Sequence, residues 1–156
     1  MTQKMLDNKT IDQITTKLAH FLSDTFVLYV KTLNFHWNMV GPEFFMYHQL
    51  LQKQYEELAE ASDELAERIR MLGRSAPGSM QDFLQLSCLK ESPTNLSQKE
   101  MIQELVEMHE ILVEHCHGLI KFTEEVLDQG TADLLIERIR SHSKQAWLLR
   151  SHLEKK

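Results

Sequence analysis

Apolar residues recur every three or four positions over four long stretches of this chain, and nowhere with the two-residue period of a strand. The first stretch starts at Thr10-Ile11-Asp12-Gln13, which has the form of a capping box, and continues through Ile14, Leu18, Phe21, Leu22, Phe26, Tyr29 and Leu33. It predicts a helix over about 10–38. The second opens at Pro42, because proline suits the first turn of a helix and disrupts its interior. Its packing positions are Phe45, Leu51, Tyr55, Leu58, Leu65, Ile69 and Leu72, and Gly73 supplies a C-terminal stop. Ser97-Gln98-Lys99-Glu100 is another capping box, opening a third helix with the stripe Ile102, Leu105, Val106, His109, Leu112, Val113, Cys116, Leu119, Ile120 and Val126, and Gly130 as its end. A fourth helix is predicted from about Thr131 to about Glu154, with Leu134, Leu135, Ile139, Trp147 and Leu148 as its larger apolar residues.

Between the second and third helices, the run from Arg74 to Pro93 has breakers at both ends and a short apolar centre at Phe83, Leu84 and Leu86. A crossover with one short helix fits it. Four long helices with one long connection describe an all-α four-helix bundle of the one-crossover kind. At 156 residues the chain is expected to form one domain, 1–156, with 1–9 as a short tail. No apolar run approaches the roughly 18–20 residues of a membrane span, and the N-terminal MTQKMLDNKTIDQ lacks the apolar region of a secretory signal, so the expected location is the cytoplasm. Cys88 and Cys116 form neither a CxxC nor a dense framework and are expected to be free thiols. A net charge of −6 argues against a basic, nucleic-acid-coating surface and leans toward cations.

The candidate chemistry lies between His36 and Gly73. His36 ends the first helix; on the second, His48 and Gln52 are one turn apart, as are Asp63 and Glu67, so each pair points from one face. From His48 to Asp63 is 15 residues, about 22 Å along a helix, too far for one metal ion to touch both. At about 100° per residue the net rotation over that interval is only about 60°, so both half-sites lie near one side. Two copies of this helix packed antiparallel about a two-fold axis would bring the histidine half of one chain to the carboxylate half of the other. Imidazole and carboxylate donors with open positions suit Fe(II). Glu114-His115-Cys116-His117 has the Glu-x-x-His spacing of ordinary di-iron bundles, but only in a single copy. His115 and His117, two apart, face different sides of a helix, so no His-Cys-His chelate is expected there.

The set His36, Trp37-Asn38, Gly41-Pro42, Phe44, His48 and the run Asp63-Glu64-Leu65-Ala66-Glu67-Arg68 resembles the Dps family, the starvation-induced mini-ferritins. The resemblance covers nearly the whole chain. It implies a ferritin-like four-helix bundle with a short extra helix in the crossover, assembled as a hollow homo-oligomer, a dodecamer. It also implies a ferroxidase centre between subunits, with iron held by His36 and His48 of one chain and Asp63 and Glu67 of its neighbour. Trp37 would sit beside the centre and intercept oxidising equivalents. At position 52 the chain departs from the family, which carries Asp: the amide oxygen of Gln52 can coordinate iron but brings no negative charge, which weakens the second iron position unless water or Glu56 completes it. The resemblance further places Asp128 and Asp133 of VLDQGTAD at a three-fold cation pore, with Glu137 one turn on; on sequence alone the two aspartates are turn residues, and the helix dipole favours Asp133 near a helix start.

The function implied is a cytoplasmic ferroxidase and iron store, oxidising Fe(II) with hydrogen peroxide, keeping the Fe(III) as mineral and so protecting DNA from hydroxyl radicals. One alternative is a DNA-binding, nucleoid-compacting protein. Against it, Lys4 and Lys9 are offset by Asp7 and Asp12, and only Lys155 and Lys156 stand at the other end, too few for non-specific phosphate binding. Another alternative is a shell whose centre has decayed at Gln52.

Overall fold

A computed structural model describes residues 6–153. Among the described residues there are five helices and no strand: α1 (Asn8–Asn38), α2 (Phe44–Met71), α3 (Met80–Leu86), α4 (Gln98–Glu125) and α5 (Gln129–Arg150). The chain is all-α, four long helices with the short α3 in the crossover. α1 packs chiefly on α2 and α4 chiefly on α5, and contacts of α1 with α4 join the two hairpins. The apolar stripes meet in one core containing Leu18, Phe21 and Leu28 of α1, Leu51, Leu58 and Leu65 of α2, Ile102, Leu105 and Leu112 of α4, and Leu135 and Leu149 of α5. Each such side chain contributes about 1.5–3 kcal/mol by leaving water. α3 is capped by the Ser79 hydroxyl, and its Phe83 stacks on Phe26 with ring centroids 4.2 Å apart, which seats the crossover on α1. No helix among the described residues is long and apolar enough to cross a membrane.

The helix ends differ from expectation in instructive places. α1 starts at Asn8, not Thr10, because the Asp7 carboxylate accepts from Thr10 N–H at 2.7 Å; Asn8 and Lys9 are therefore helical, Leu6 and Asp7 precede the helix, and 1–5 of the expected tail lie outside the described residues. Pro42 lies in the turn before α2, where Gly41 takes φ +141° and its carbonyl accepts from Phe44 N–H, so the helix starts two residues later than expected. Gly130 does not end α4. That helix stops at Glu125, Leu127 takes the left-handed turn at φ +65°, and Gly130 lies in the first turn of α5, where a Cβ would meet the Arg68 guanidinium at 3.0 Å. The capping box at Ser97 forms in both directions, Ser97 N–H to Glu100 at 2.7 Å and Glu100 N–H to the Ser97 hydroxyl at 3.2 Å. Phe45, expected to pack, is largely exposed, as is Trp147 of α5.

Candidate metal centre

His36 and His48 meet across the bend between α1 and α2. Their rings stack with centroids 3.7 Å apart and planes 14° off parallel. His36 Nδ1 donates to the His48 carbonyl at 2.8 Å, and His48 Nδ1 donates to the His36 carbonyl at 3.0 Å. The His36 carbonyl is among the last four of α1, which have no intrahelical N–H, so the second bond also finishes the helix. A carbonyl can only accept, so each Nδ1 carries a proton, and Nε2 is the nitrogen that each ring can offer a metal ion. Tyr55 meets the His36 ring edge to face at 5.1 Å, and Phe44 lies 5.1 Å from the His48 ring, so aromatic packing holds both imidazoles.

The carboxylate half is on the same helix but elsewhere. Asp63 and Glu67 are exposed on the one unbroken helix α2, and neither makes a side-chain hydrogen bond or ion pair with another described residue. The 15-residue separation from His48 therefore stays at about 22 Å. An open groove of about 420 Å³ runs past Glu67 and is lined also by Glu64, Asp133 and Glu137. At position 52 the amide does not stand free: Gln52 Nε2 donates to Glu56 Oε1 at 2.9 Å. Trp37, beside His36, is 66% exposed, in a run of exposed apolar residues with Val40, Phe44, Phe45 and Met46.

Asp128 and Asp133 part company. Asp128 is buried, accepts from Thr131 N–H at 3.2 Å as the cap of α5, and pairs with Arg68 at 2.7 Å. Asp133 is exposed and lines both the groove beside Glu67 and a second open groove at the bend.

A model of the ferritin-like domain matches residues 15–156. The chain is 43% identical over 135 residues to an uncharacterised low temperature-induced protein of Nostoc, covering 85% of this chain and 75% of that one. It is 31% identical over 137 residues to the DNA protection during starvation protein of Helicobacter pylori, covering 87% of this chain and 95% of the relative. The chain belongs to the Dps family of ferritin-like proteins. The Dps protein of Vibrio cholerae, described as one of the ferritin-like diiron-carboxylate proteins, superposes with a TM-score of 0.92 at 29% identity, covering 99% of this chain and 98% of that one.

In this Dps-family chain some polar groups escaped the sequence reading. Arg68 reads as one of several charges on α2, yet it reaches the α4–α5 bend, donating to Thr131 Oγ1 at 2.9 Å as well as to Asp128, and so fixes the end of α2 that carries Glu67. Inside the bundle, Arg138 of α5 is buried and paired with Glu57, Ser141 donates to Glu57 at 2.7 Å, and His109 and His142 bond through their Nδ1 atoms at 2.9 Å. His109 lies in the apolar stripe of α4, and that register was the available signal. His115 and His117 diverge as expected, with Cys116 buried between them and His117 exposed, and Cys88 and Cys116 are free thiols.

Proposed function

We propose that this protein is a ferroxidase and iron-storage subunit whose centre is completed by a second copy of the chain. The observation that carries the reading is the reciprocal pair of bonds between His36 and His48, which uses both Nδ1 atoms and leaves the two Nε2 atoms as the nitrogens available to a metal ion, at a bend rimmed by exposed Trp37, Val40, Phe45 and Met46. An apolar rim around a half-set of ligands suits self-association, and the missing donors, Asp63 and Glu67, stand unpaired on the same helix, about 22 Å and about 28 Å from His48 and near the same side. Fe(II) is the substrate. Two Fe(II) ions give one electron each to hydrogen peroxide, the O–O bond breaks, and two waters form with the uptake of two protons. Fe(III) is then stored as mineral within a dodecameric shell. Trp37, exposed beside His36, is placed to donate an electron to stray oxidant. Removal of Fe(II) together with peroxide accounts for DNA protection without a basic surface; tight gel-shift binding by the assembled shell at low salt would reverse that ranking.

The test is complementation. His36→Ala and Asp63→Ala proteins should each lose most peroxide-dependent Fe(II) oxidation, whereas shells co-assembled from both should regain part of it, because half-sites of intact type can pair. Mixed shells no more active than either parent would overturn the shared centre.

Cation uptake is assigned to Asp133, with Glu137 as a weaker contributor. Asp128 can reach a pore only by giving up Arg68. Asp133→Asn should slow iron uptake and reduce its dependence on ionic strength, as expected when a carboxylate that focuses cations is lost. Asp128→Asn should instead lower stability by about 1–2 kcal/mol through the weakened Arg68 pair. Stopped-flow uptake and thermal melts of both variants separate the two roles; equal uptake by the Asp133→Asn protein and the parent would make Asp133 an ordinary helix-start residue.

A further inference from the structure

Away from the His36–His48 half-site, three metal-ligating side chains from separate segments converge: Asp24 of α1, Cys88 of the crossover and His115 of α4. Asp24 is 2% exposed, a costly position for a carboxylate unless its oxygens are bonded. Its Oδ1 accepts from the Ser87 hydroxyl at 2.7 Å and from Cys88 N–H at 2.8 Å, while Oδ2 accepts from His115 Nδ1 at 3.1 Å. An ionised carboxylate only accepts, so the His115 proton sits on Nδ1 and Nε2 keeps its lone pair. That Nε2 is 3.9 Å from the Cys88 sulfur, and the sulfur is 3.7 Å from Asp24 Oδ2. In a tetrahedral zinc site, with Zn–S about 2.3 Å and Zn–N about 2.0–2.1 Å, sulfur and nitrogen stand about 3.5 Å apart. A shift of a few tenths of an ångström closes the present pair to that separation.

We propose that Cys88 Sγ and His115 Nε2 bind a borderline-to-soft divalent cation of the zinc type, with Asp24 orienting the imidazole and water completing the coordination. A carboxylate on the far nitrogen of a ligating histidine fixes its tautomer and ring plane and strengthens the donor. A thiolate with an imidazole favours zinc or cobalt over magnesium or calcium, which take oxygen donors. Binding exchanges the thiol proton for the metal and transfers no electrons. Access is open: Cys88 is exposed and borders a groove of about 320 Å³ that Met108 and Ile111 also line. The bonds to Asp24 Oδ1 alone would account for anchoring the crossover to α1. They give no reason for a part-exposed imidazole aligned on the sulfur.

Cobalt(II) added to the reduced, full-length assembled protein provides the test, because it reports sulfur ligation directly. The expected result is a near-ultraviolet thiolate-to-cobalt charge-transfer band, displaced by zinc, absent in Cys88→Ser and at least tenfold weaker in apparent affinity in His115→Gln. The His36 centre contains no sulfur, and Cys116 is fully buried, so neither can supply that band. Both variants alter the solvent-facing edge of the cluster and leave Asp24 its bonds to Ser87 and to the backbone at residue 88. No band in the parent protein, or an undiminished affinity in His115→Gln, would overturn the proposal.

Discussion

Between about pH 7 and about pH 5 the folded state should lose roughly 2 kcal/mol through His109 alone, and more with His142 included. Burial lowers the His109 pKa from 6.5 to about 3, the Arg138 charge acting in the same direction and Glu57 opposing. His142 is also held well below 6.5, by burial first and then by His109 and Arg138. The hydrogen bonds agree with neutral rings. Arg138 donates to His142 Nε2 at 3.3 Å, so His142 carries its proton on Nδ1 and donates it to His109 Nδ1, leaving the His109 proton on Nε2. Among the described residues that buried N–H has no partner, which adds to the cost of the site. Because the unfolded chain takes up protons below about pH 6.5 while the folded core does not, unfolding gains free energy as pH falls through that window, and the loss continues until about pH 3. Glu57 acts lower. Burial pushes its carboxyl up, but the bonds and charge of Arg138 and the Ser141 hydroxyl outweigh this and hold it below 4.5, so its contribution disappears only in stronger acid. Denaturant unfolding at a series of pH values should therefore show a slope above about pH 5 that flattens in His109→Gln and His142→Gln. An equal slope in all three proteins would mean that other groups set the acid sensitivity.

The existence and register of the long helices were legible because each buries one stripe, and a stripe at helical spacing survives any arrangement of neighbours. Their ends were less legible. Thr10-Ile11-Asp12-Gln13 looks like a cap, but Asp7 occupies that role first, and a local motif cannot say which of two caps the helix will use. Gly130 looks like a stop, but its lack of a side chain serves Arg68, which comes from 62 positions away in the sequence. The helical positions of the proposed half-sites were legible, since His48 and Asp63 keep their register on α2. Their hydrogen bonding was not, because the tautomers of His36 and His48 depend on two backbone carbonyls that meet only when the bend closes. Asp24, Cys88 and His115 are 64 and 27 residues apart, so no spacing rule joins them. The one local sign was Asp24 itself, which lies between Phe21 and Leu28 on the buried face of α1 and needed a partner from outside its helix.

Gln52→Asp should tighten the weaker of two iron positions about tenfold and speed peroxide-dependent oxidation, with the shell unchanged. Position 52 is one turn after His48 on an exposed face of α2, so its side chain reaches the region in front of the imidazoles. An amide there offers an oxygen without a charge, and a divalent cation loses much of its attraction when a carboxylate becomes an amide. The amide also does something a carboxylate cannot: its Nε2 donates to Glu56, holding that side chain one turn farther along the same face. Aspartate at 52 would repel Glu56 instead, so the substitution brings a charge to the centre and releases Glu56 from its present position. These effects predict different results. If Gln52 leaves the second position short of charge, Gln52→Asp strengthens it and Glu56→Gln changes little. If Glu56, steered by Gln52, supplies the missing carboxylate, Glu56→Gln weakens the position and Gln52→Asp gives no gain. Calorimetric titration of the assembled protein with anaerobic Fe(II) distinguishes the two. The exposed Glu56 has only the Gln52 amide as a side-chain partner among the described residues and must cross a further turn to reach the imidazoles, so the expected order of affinity is Gln52→Asp above the parent, and Glu56→Gln equal to it.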